Sequence, residues 1–521
     1  MNLSGKSIEF EDIGLWRSLE TLPNGSLLPP WENDTSNTSN TSIVGHSGVY
    51  VTDIPLTSSH AQTWYVVLMA NFMDEGDAYW QPENGKLKYI ANFSQLDAFS
   101  IPKAMHVQSF PLALQANESG RLWIRIKAKH YPTPAPIVIH SAQSFYHYQF
   151  IVNTVTSGAV TVMLTLALIV LAFGISTKQS LSILCAGYVG LHGIGWAMAA
   201  GLMGSLLGPL PINLTYGGIY LFPFAIAFAA LFTRELFDTQ ETASRLAKHL
   251  MLFAKMCLGA GVFMLFIPFQ WAFYLSHVIA MVWVPLSLYV GFHRLTKRDF
   301  RAKYYLVGNL LYGVSLFYFL TSHTHIIQGL VYPELVVLVA LAIDCVCIVL
   351  SLSEWLKLRQ NEYQQILFEA RIDSLTKVGN RFSLDEKLAT LDNKKYMIVF
   401  IDLDGMKQIN DSMGHEAGDT FLIEVANLMT GALGSYGHVY RSGGDEFVWL
   451  VASDEVISKE QKEEIENIIL QINRKLRVRW PEAGLSYGIS TNEEANDQFE
   501  CLAYADQSMY EQKLLKRQVS E

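Results

Sequence analysis

The sequence predicts three unlike parts in one chain: an N-terminal all-β sandwich, a bundle of seven membrane-crossing helices, and a C-terminal α+β domain. Three observations carry that reading. Short β-rich runs separated by turn signals fill residues 45–150, long apolar windows fill 151–355, and a charged αβ alternation fills 371–521. At 521 residues the chain exceeds what one hydrophobic core serves, so several domains are the default.

The β reading rests on Gly48–Ile54, Thr63–Ala70, Lys86–Ala91, Met105–Leu114, Gly120–Ala128 and Ile137–His140. Turn-rich stretches such as Asn84-Gly85 and Tyr131–Pro136 divide them, a spacing that suggests an antiparallel sandwich. Residues 1–44 read as a flexible region, including the polar low-complexity tract Asn33–Ser42. Trp64, Tyr79, Trp80 and Trp123 are either sugar-stacking rings or core, so a carbohydrate is one candidate for an unknown outer ligand. The five cysteines are Cys185, Cys257, Cys345, Cys347 and Cys501, which leaves this region without a disulfide framework. Cys345 and Cys347 sit in an apolar run and read as small buried hydrophobes rather than metal ligands.

A hydrocarbon core of about 30 Å takes about 20 apolar helical residues. Seven windows qualify: Val155–Ile175, Leu181–Met203, Leu214–Phe232, Leu250–Phe269, Trp271–Phe292, Tyr304–Leu320 and Leu335–Leu352. They are apolar on all sides, unlike the striped helices of a soluble core. Basic residues fall in alternate connections: Lys178 in the first, Arg234, Arg245 and Lys248 in the third, and Arg294, Lys297, Arg298, Arg301 and Lys303 in the fifth. Lys357 and Arg359 follow the last span, and the second, fourth and sixth connections hold no Lys or Arg. Basic loops stay in the cytoplasm, which puts the N-terminus outside the inner membrane and the C-terminus inside. The outer region would have to be exported although the first twenty-five residues lack an apolar signal segment. The favoured expectation is a start upstream of this numbering; the alternative is export by the first span. Within the spans, His192 and Asp344 are ionisable and costly to bury; each reads as an interhelical hydrogen-bonding group or as part of a signalling device.

The order of these parts over 45–355 resembles the bacterial seven-transmembrane receptors with diverse intracellular signalling modules. Gly120–Lys127, with the proline-rich turn after it, is similar to that family's late strands. The resemblance implies a jelly-roll-like outer domain.

Residues 351–371 contain no Gly or Pro and predict a helical connector. Leu356, Tyr363 and Ala370 fall seven apart, a pattern shared by a short parallel coiled coil and a lone amphipathic helix.

In the C-terminal domain Met397–Asp402 reads as an apolar strand ending in acids, and Val439–Tyr440 and Glu446–Val451 as a hairpin turning at Gly443-Gly444. Adjacent strands lie about 5 Å apart, so Asp402, Asp404, Asp445 and Glu446 are expected to converge. Hard oxygen donors in that arrangement suit a divalent metal holding a triphosphate. Two glycines in the turn allow backbone to approach a phosphate. The net charge of −10 argues against a nucleic-acid partner.

Arg441–Phe447 (RSGGDEF) resembles the signature loop of GGDEF-family diguanylate cyclases. Asp373–Arg381, Asp402–Asp411, Gly414–Asp419 and Ala505–Lys513 match that family's other blocks in order. The resemblance implies a palm-like α+β cyclase fold that condenses two GTP into cyclic di-GMP as a homodimer, with Mg²⁺ or Mn²⁺. It implies that Asp402, Asp445 and the Leu403 carbonyl ligate metal, and that Glu446 assists catalysis beside Asp445. Asn410 and Asp419 would bind the guanine edge, Gly443 and Gly444 the phosphates, and Lys407, Lys513 and Arg517 the phosphate charge. The alternative is a catalytically silent GTP-binding receptor signalling through a protein partner. Two departures stand out. Gly405-Met406 precedes the lysine where the family often has bulky aromatics, and Gly434 and Gly437 replace the Arg and Asp of the product-inhibition motif, so no inhibitory site is expected.

Overall fold

The computed structural model describes residues 2–3, 7–12, 14–19, 28–29, 42–93, 104–207, 212–237, 245–323, 332–391, 395–453 and 456–520. The chain divides into two compact units, Met1–Lys357 and Leu358–Glu521.

The first unit begins with β1 (Asn2–Leu3), β2 (Ser7–Phe10), β3 (Arg17–Ser18), β4 (Gly48–Ser58), β5 (Gln62–Leu68) and β6 (Glu75–Pro82). There follow β7 (Lys88–Asn92), β8 (Gln108–Leu114), β9 (Ser119–Ala128) and β10 (Ile137–Ser141). One sheet runs β1-β4-β9-β6-β7 with β3 also on β4; the other runs β2-β10-β5-β8. Alternate residues of both sheets enter one core, among them Ile54, Ile124 and Ile126 from the first and Val66, Phe110 and Ile139 from the second. The described parts of residues 1–44 are therefore not uniformly loose: β2 pairs with β10, and β1 and β3 pair with β4. Most of the Asn33–Ser42 tract lies outside the described residues.

The tryptophans proposed for sugar stacking are core. Trp64, Trp80 and Trp123 are at most 4% exposed. Their indole N–H groups donate to Ser58 Oγ (3.0 Å), Glu118 Oε1 (2.8 Å) and Gln81 Oε1 (2.9 Å), so each buried donor is satisfied.

The helices are α1 (Ala142–Thr177), α2 (Ser180–Ala199), the short α3 (Leu202–Leu207), α4 (Gly217–Leu236), α5 (Arg245–Met264), α6 (Phe269–Thr296), α7 (Arg301–His323) and α8 (Pro333–Arg371). Six of the described helices are long and apolar enough to cross a membrane; α7 is not among them. Its tyrosines and Asn309 dilute the apolar run, so the count of seven spans is not established by these helices. Two predicted spans also end early. Gly201, at φ +83, breaks the second after Ala199, and the fourth stops at Met264 because Pro268 caps α6.

The sandwich rests on the connections that lack Lys and Arg. Asn71 Nδ2 donates to Ala199 O (2.5 Å), Tyr216 Oη to Phe72 O (2.9 Å), and Gln270 Nε2 to Gly45 O (3.4 Å). Between the helices, Tyr188 Oη of α2 donates to Asp344 Oδ2 of α8 (2.5 Å), the interhelical bond anticipated for that acid. His192 Nδ1 lies 3.0 Å from Tyr188 O of its own helix, and its ring packs against Phe222 of α4 and Tyr312 of α7. Helix α8 runs unbroken from the bundle through the predicted connector.

The second unit holds β11 (Gly379–Asn380), α9 (Arg381–Leu388), β12 (Lys395–Asp404), α10 (Met406–Met413), α11 (His415–Leu433) and β13 (His438–Gly443). It ends with β14 (Glu446–Ser453), α12 (Lys459–Arg479), β15 (Gly484–Thr491) and α13 (Gln498–Ser520). The sheet order is β11-β13-β14-β12-β15, with β12 between β14 and β15. Met397, Val399, Ile401 and Leu403 of β12 face α11 and α12, whereas Tyr396, Ile398 and Phe400 face α9 and α13. This two-residue period decides where the acids point.

Candidate active site

Parity along β12 puts Asp402 and Asp404 on the α13 face. Val448 and Leu450 of β14 share that face, so Glu446 does too, and it stands directly opposite Asp402 in the antiparallel register. The Leu403 N–H donates to Asp445 O (3.1 Å), tying the strand end to the glycine turn. Asp402, Asp445 and Glu446, three of the four acids expected to converge, thus lie at one end of the sheet. Asp404 diverges from the expected cluster: its carboxylate meets Ser486 Oγ (2.9 and 3.0 Å) and Lys516 Nζ (3.3 Å).

Charge is expensive here. Burial pushes the Asp402 carboxyl above its ordinary range against the pull of Lys513, and Asp445 and Asp404 add to the rise. Glu446 is raised by burial and then by Asp506, Asp402 and Asp445, with Arg381 opposing. Lys513 Nζ bonds Asp402 Oδ1 directly.

The turn itself is clamped. Arg441 donates from Nε (3.0 Å) and Nη2 (2.7 Å) to Gly444 O and from Nη1 to Asp373 Oδ1 (3.0 Å). Thr376 adds its N–H (2.8 Å) and hydroxyl (2.6 Å) to the same carboxylate oxygen. Burial opposes the Asp373 charge, yet these donors hold its carboxyl below the usual range. Gly443 and Gly444 are exposed at the tip, and Gly444 takes φ +29. The first matching block, Asp373–Arg381, therefore anchors the signature loop.

Asn410 on α10 has its Oδ1 buried without a partner among the described residues. A Cβ on Gly418 would come within 2.1 Å of that oxygen, so only glycine lets α11 lie against this amide. Asp419 follows on α11 and is exposed, as is Lys407. Gly405 takes φ +84, and a Cβ there would lie 2.4 Å from Glu482 O. The departure at 405 is thus a backbone requirement of this turn. The Arg517 side chain lies outside the described residues.

Among the described residues no three His, Cys, Asp or Glu side chains form a ready metal cluster. The donor chemistry nevertheless fits a hard divalent cation: Asp402 and Asp445 supply carboxylates beside the Leu403 carbonyl, and burial first, then neighbouring carboxylates, raises Asp402 and Glu446.

Sequence reasoning missed Arg441, Asp373, Ser486 and Lys516. Arg441 and Asp373 lay in the quoted motifs, but their pairing spans 68 positions and had no local signal.

Residues 370–518 match the family model "Diguanylate cyclase, GGDEF domain", and residues 153–355 match "7TM diverse intracellular signalling". Among curated proteins, the bifunctional diguanylate cyclase/cyclic di-GMP phosphodiesterase MucR of Pseudomonas aeruginosa is 29% identical over 197 residues, 34% of this chain and 28% of MucR. The diguanylate cyclase DgcP of Escherichia coli is 33% identical over 168 residues, 29% of this chain and 47% of DgcP. The chain thus spans less than half the length of either relative. The solved GGDEF domain of TpbB from Pseudomonas aeruginosa is 30% identical, with a TM-score of 0.24, covering 28% of this chain and 89% of that one. The coiled coil and GGDEF domain of DgcB from Caulobacter crescentus, in complex with c-di-GMP, is 23% identical with a TM-score of 0.28, covering 31% and 90%. The chain joins a signalling module to a catalytic-type domain. It carries a GGDEF diguanylate cyclase domain behind a 7TM domain of the diverse intracellular signalling family.

Proposed function

We propose that this chain is a membrane-bound diguanylate cyclase that condenses two GTP into cyclic di-GMP and two pyrophosphates under control of its outer sandwich and membrane helices. The observation that carries the reading is Asp402 facing Glu446 across β12 and β14 beside the clamped turn.

In this reading Asn410 and Asp419 take the guanine edge. A carboxylate accepts from guanine N1–H and N2–H₂, groups adenine does not offer in that place. Gly443 and Gly444 admit the triphosphate against the backbone. Lys407, Lys513 and Arg517 neutralise it, and Lys513 leaves Asp402 to do so. Asp402, Asp445 and the Leu403 carbonyl would hold Mg²⁺ or Mn²⁺, which when bound supplies positive charge to the triphosphate. Glu446, kept above its ordinary range, is placed to accept a proton from the attacking 3′-hydroxyl, with Asp445 beside it. Each domain holds one GTP, so the product requires two copies facing each other. The α8 connector is the segment through which the membrane helices would set that pairing.

The outer assignment draws support from the sandwich, which contacts the Lys- and Arg-free connections. In this reading a jelly-roll-like sensor faces the periplasm, seven spans cross the inner membrane and the cyclase lies in the cytoplasm. The test is direct: full-length chain in detergent with Mg²⁺ and GTP, beside Asp445→Ala. Cyclic di-GMP and pyrophosphate should form only with the unaltered chain. A folded, dimeric sample that binds GTP and yields no product would favour the silent receptor.

A further inference from the structure

Helix α13 is fastened along β15 at successive points. A Cβ on Gly488 would lie 2.1 Å from Ala505 O, so the helix touches the strand's backbone there. About two turns further on, the Tyr487 N–H donates to Gln512 Oε1 (2.8 Å). The last fastening is Lys516, whose Nζ donates to Leu485 O (2.6 Å) and Ser486 Oγ (3.1 Å) and pairs with Asp404 Oδ2 (3.3 Å). Ser486 is fully buried. Gly484 lies opposite Asp404 in the register, and a Cβ there would meet Asp404 Oδ2 at 3.2 Å. The strand has been kept bare where the carboxylate turns.

Lys513 and Lys516 stand three apart on one helical face, and Asp402 and Asp404 stand two apart on one strand face. The structure therefore holds two parallel ion pairs, Lys513–Asp402 and Lys516–Asp404. They are not equivalent. Among the described residues Lys513 has no carbonyl anchor, and it bonds the acid that the proposed function assigns to metal. Lys516 has a carbonyl, a hydroxyl and a carboxylate.

We propose that Lys516 is a positioning residue that fixes the end of α13 and neutralises Asp404, so that Lys513 can exchange Asp402 for the triphosphate when nucleotide arrives. This rests on the proposed function for Asp402 and Lys513. Without Lys516 the helix end loses its fastening, and Asp404 becomes an unpaired negative charge next to the place the triphosphate would enter. Both effects weaken nucleotide binding in ground and transition states alike, so they fall on KM more than on kcat.

The test uses full-length chain in detergent and two readouts: calorimetric binding of a nonhydrolysable GTP analogue with Mg²⁺, which needs no turnover, and steady-state kinetics. Lys516→Met should weaken analogue binding and raise KM by about tenfold, the scale of one hydrogen-bonded charge, with kcat within about twofold. Lys516→Arg should restore binding to within about threefold, because it keeps charge and donors. In the Lys516→Met background, Asp404→Asn should recover part of the loss by removing the stranded charge. Unchanged binding in Lys516→Met, or a loss that neither change relieves, overturns the proposal and leaves the cyclase reading standing. If the unaltered chain binds no analogue, both fall. If it binds analogue but makes no product, the binding series still decides Lys516 while the cyclase reading fails.

Discussion

Asp402 stands directly across from Glu446 on neighbouring antiparallel strands, and both carboxyls lie above their ordinary ranges. A carboxyl raised in the folded state contributes stability below its unfolded value and loses it as pH climbs through the folded one. The metal-free cyclase domain should therefore weaken as pH rises from the ordinary carboxylate range through those raised values. Mg²⁺ should cancel that decline. Calorimetry of the full chain across pH, in chelator and in Mg²⁺, measures both; identical curves would remove the metal from this site.

Arg441 is expected to matter although it contacts no reacting atom in the proposed mechanism. Arg441→Lys cannot supply two donors to Gly444 O and a third to Asp373 at once. A turn displaced by about 1 Å costs about 100-fold in turnover, so kcat should fall on that scale while the fold survives. Near-normal turnover in Arg441→Lys would show that the clamp is dispensable.

Much of the cyclase domain was legible from motif residues. An apolar strand ending in acids and a glycine turn mark Asp402, Asp445 and Glu446, although the pairing of β12 with β14 across α10, α11 and β13 has no local signal. Lys516 on Asp404 was not legible, since the contact joins residues 112 apart and depends on how α13 lies on β15. The outer domain shows the opposite failure. Strand β6 reads EGDAYWQP, with Gly, Asp and Pro that signal a turn. It is held instead by β9, where Arg125 pairs with Asp77 (2.9 Å) and Glu75 (3.1 Å) across the strands. The tryptophans looked available for a ligand because sequence does not show which face of a strand is covered.

Where sandwich meets helices, His106 lies against Trp196, and its Nε2 is 3.0 Å from Thr156 Oγ1. Burial pushes its pKa down to about 4, with Glu334 opposing. A histidine lowered on folding supports the folded state above its ordinary value, and that support is lost as pH falls toward about 4. The seam between sandwich and helices should loosen between pH 6.5 and about 4. Protection from hydrogen exchange at residues 104–107, corrected for the intrinsic rate at each pH, should fall as pH drops over that window, and His106→Asn should flatten the response. Protection independent of pH there would refute the assignment.

Guanine selectivity is expected to depend on a residue that touches no nucleotide. Gly418→Ala would drive a methyl into Asn410 Oδ1. Displacing that amide leaves one base contact unmade, worth about 1–3 kcal/mol, or about a tenfold to hundredfold rise in KM for GTP. The weak binding of ATP should barely change, so discrimination narrows. A Gly418→Ala chain with unaltered GTP affinity would show that Asn410 does not bind the base.

Product feedback is the feature this chain is expected to lack. Gly434 sits at φ +53, and Gly437 lies beside β14, where a Cβ would come within 2.3 Å of Leu450 O. The second position thus has no room for a side chain unless backbone moves. Cyclic di-GMP titrated into the active chain should give only competitive inhibition at the GTP site. Installing the missing pair by Gly434→Arg and Gly437→Asp should not create a second mode. It should instead lower stability by about 1–3 kcal/mol, because the clash is with backbone rather than with the end of a flexible side chain. Noncompetitive inhibition of the unaltered chain that maps to this edge of the sheet would defeat the prediction.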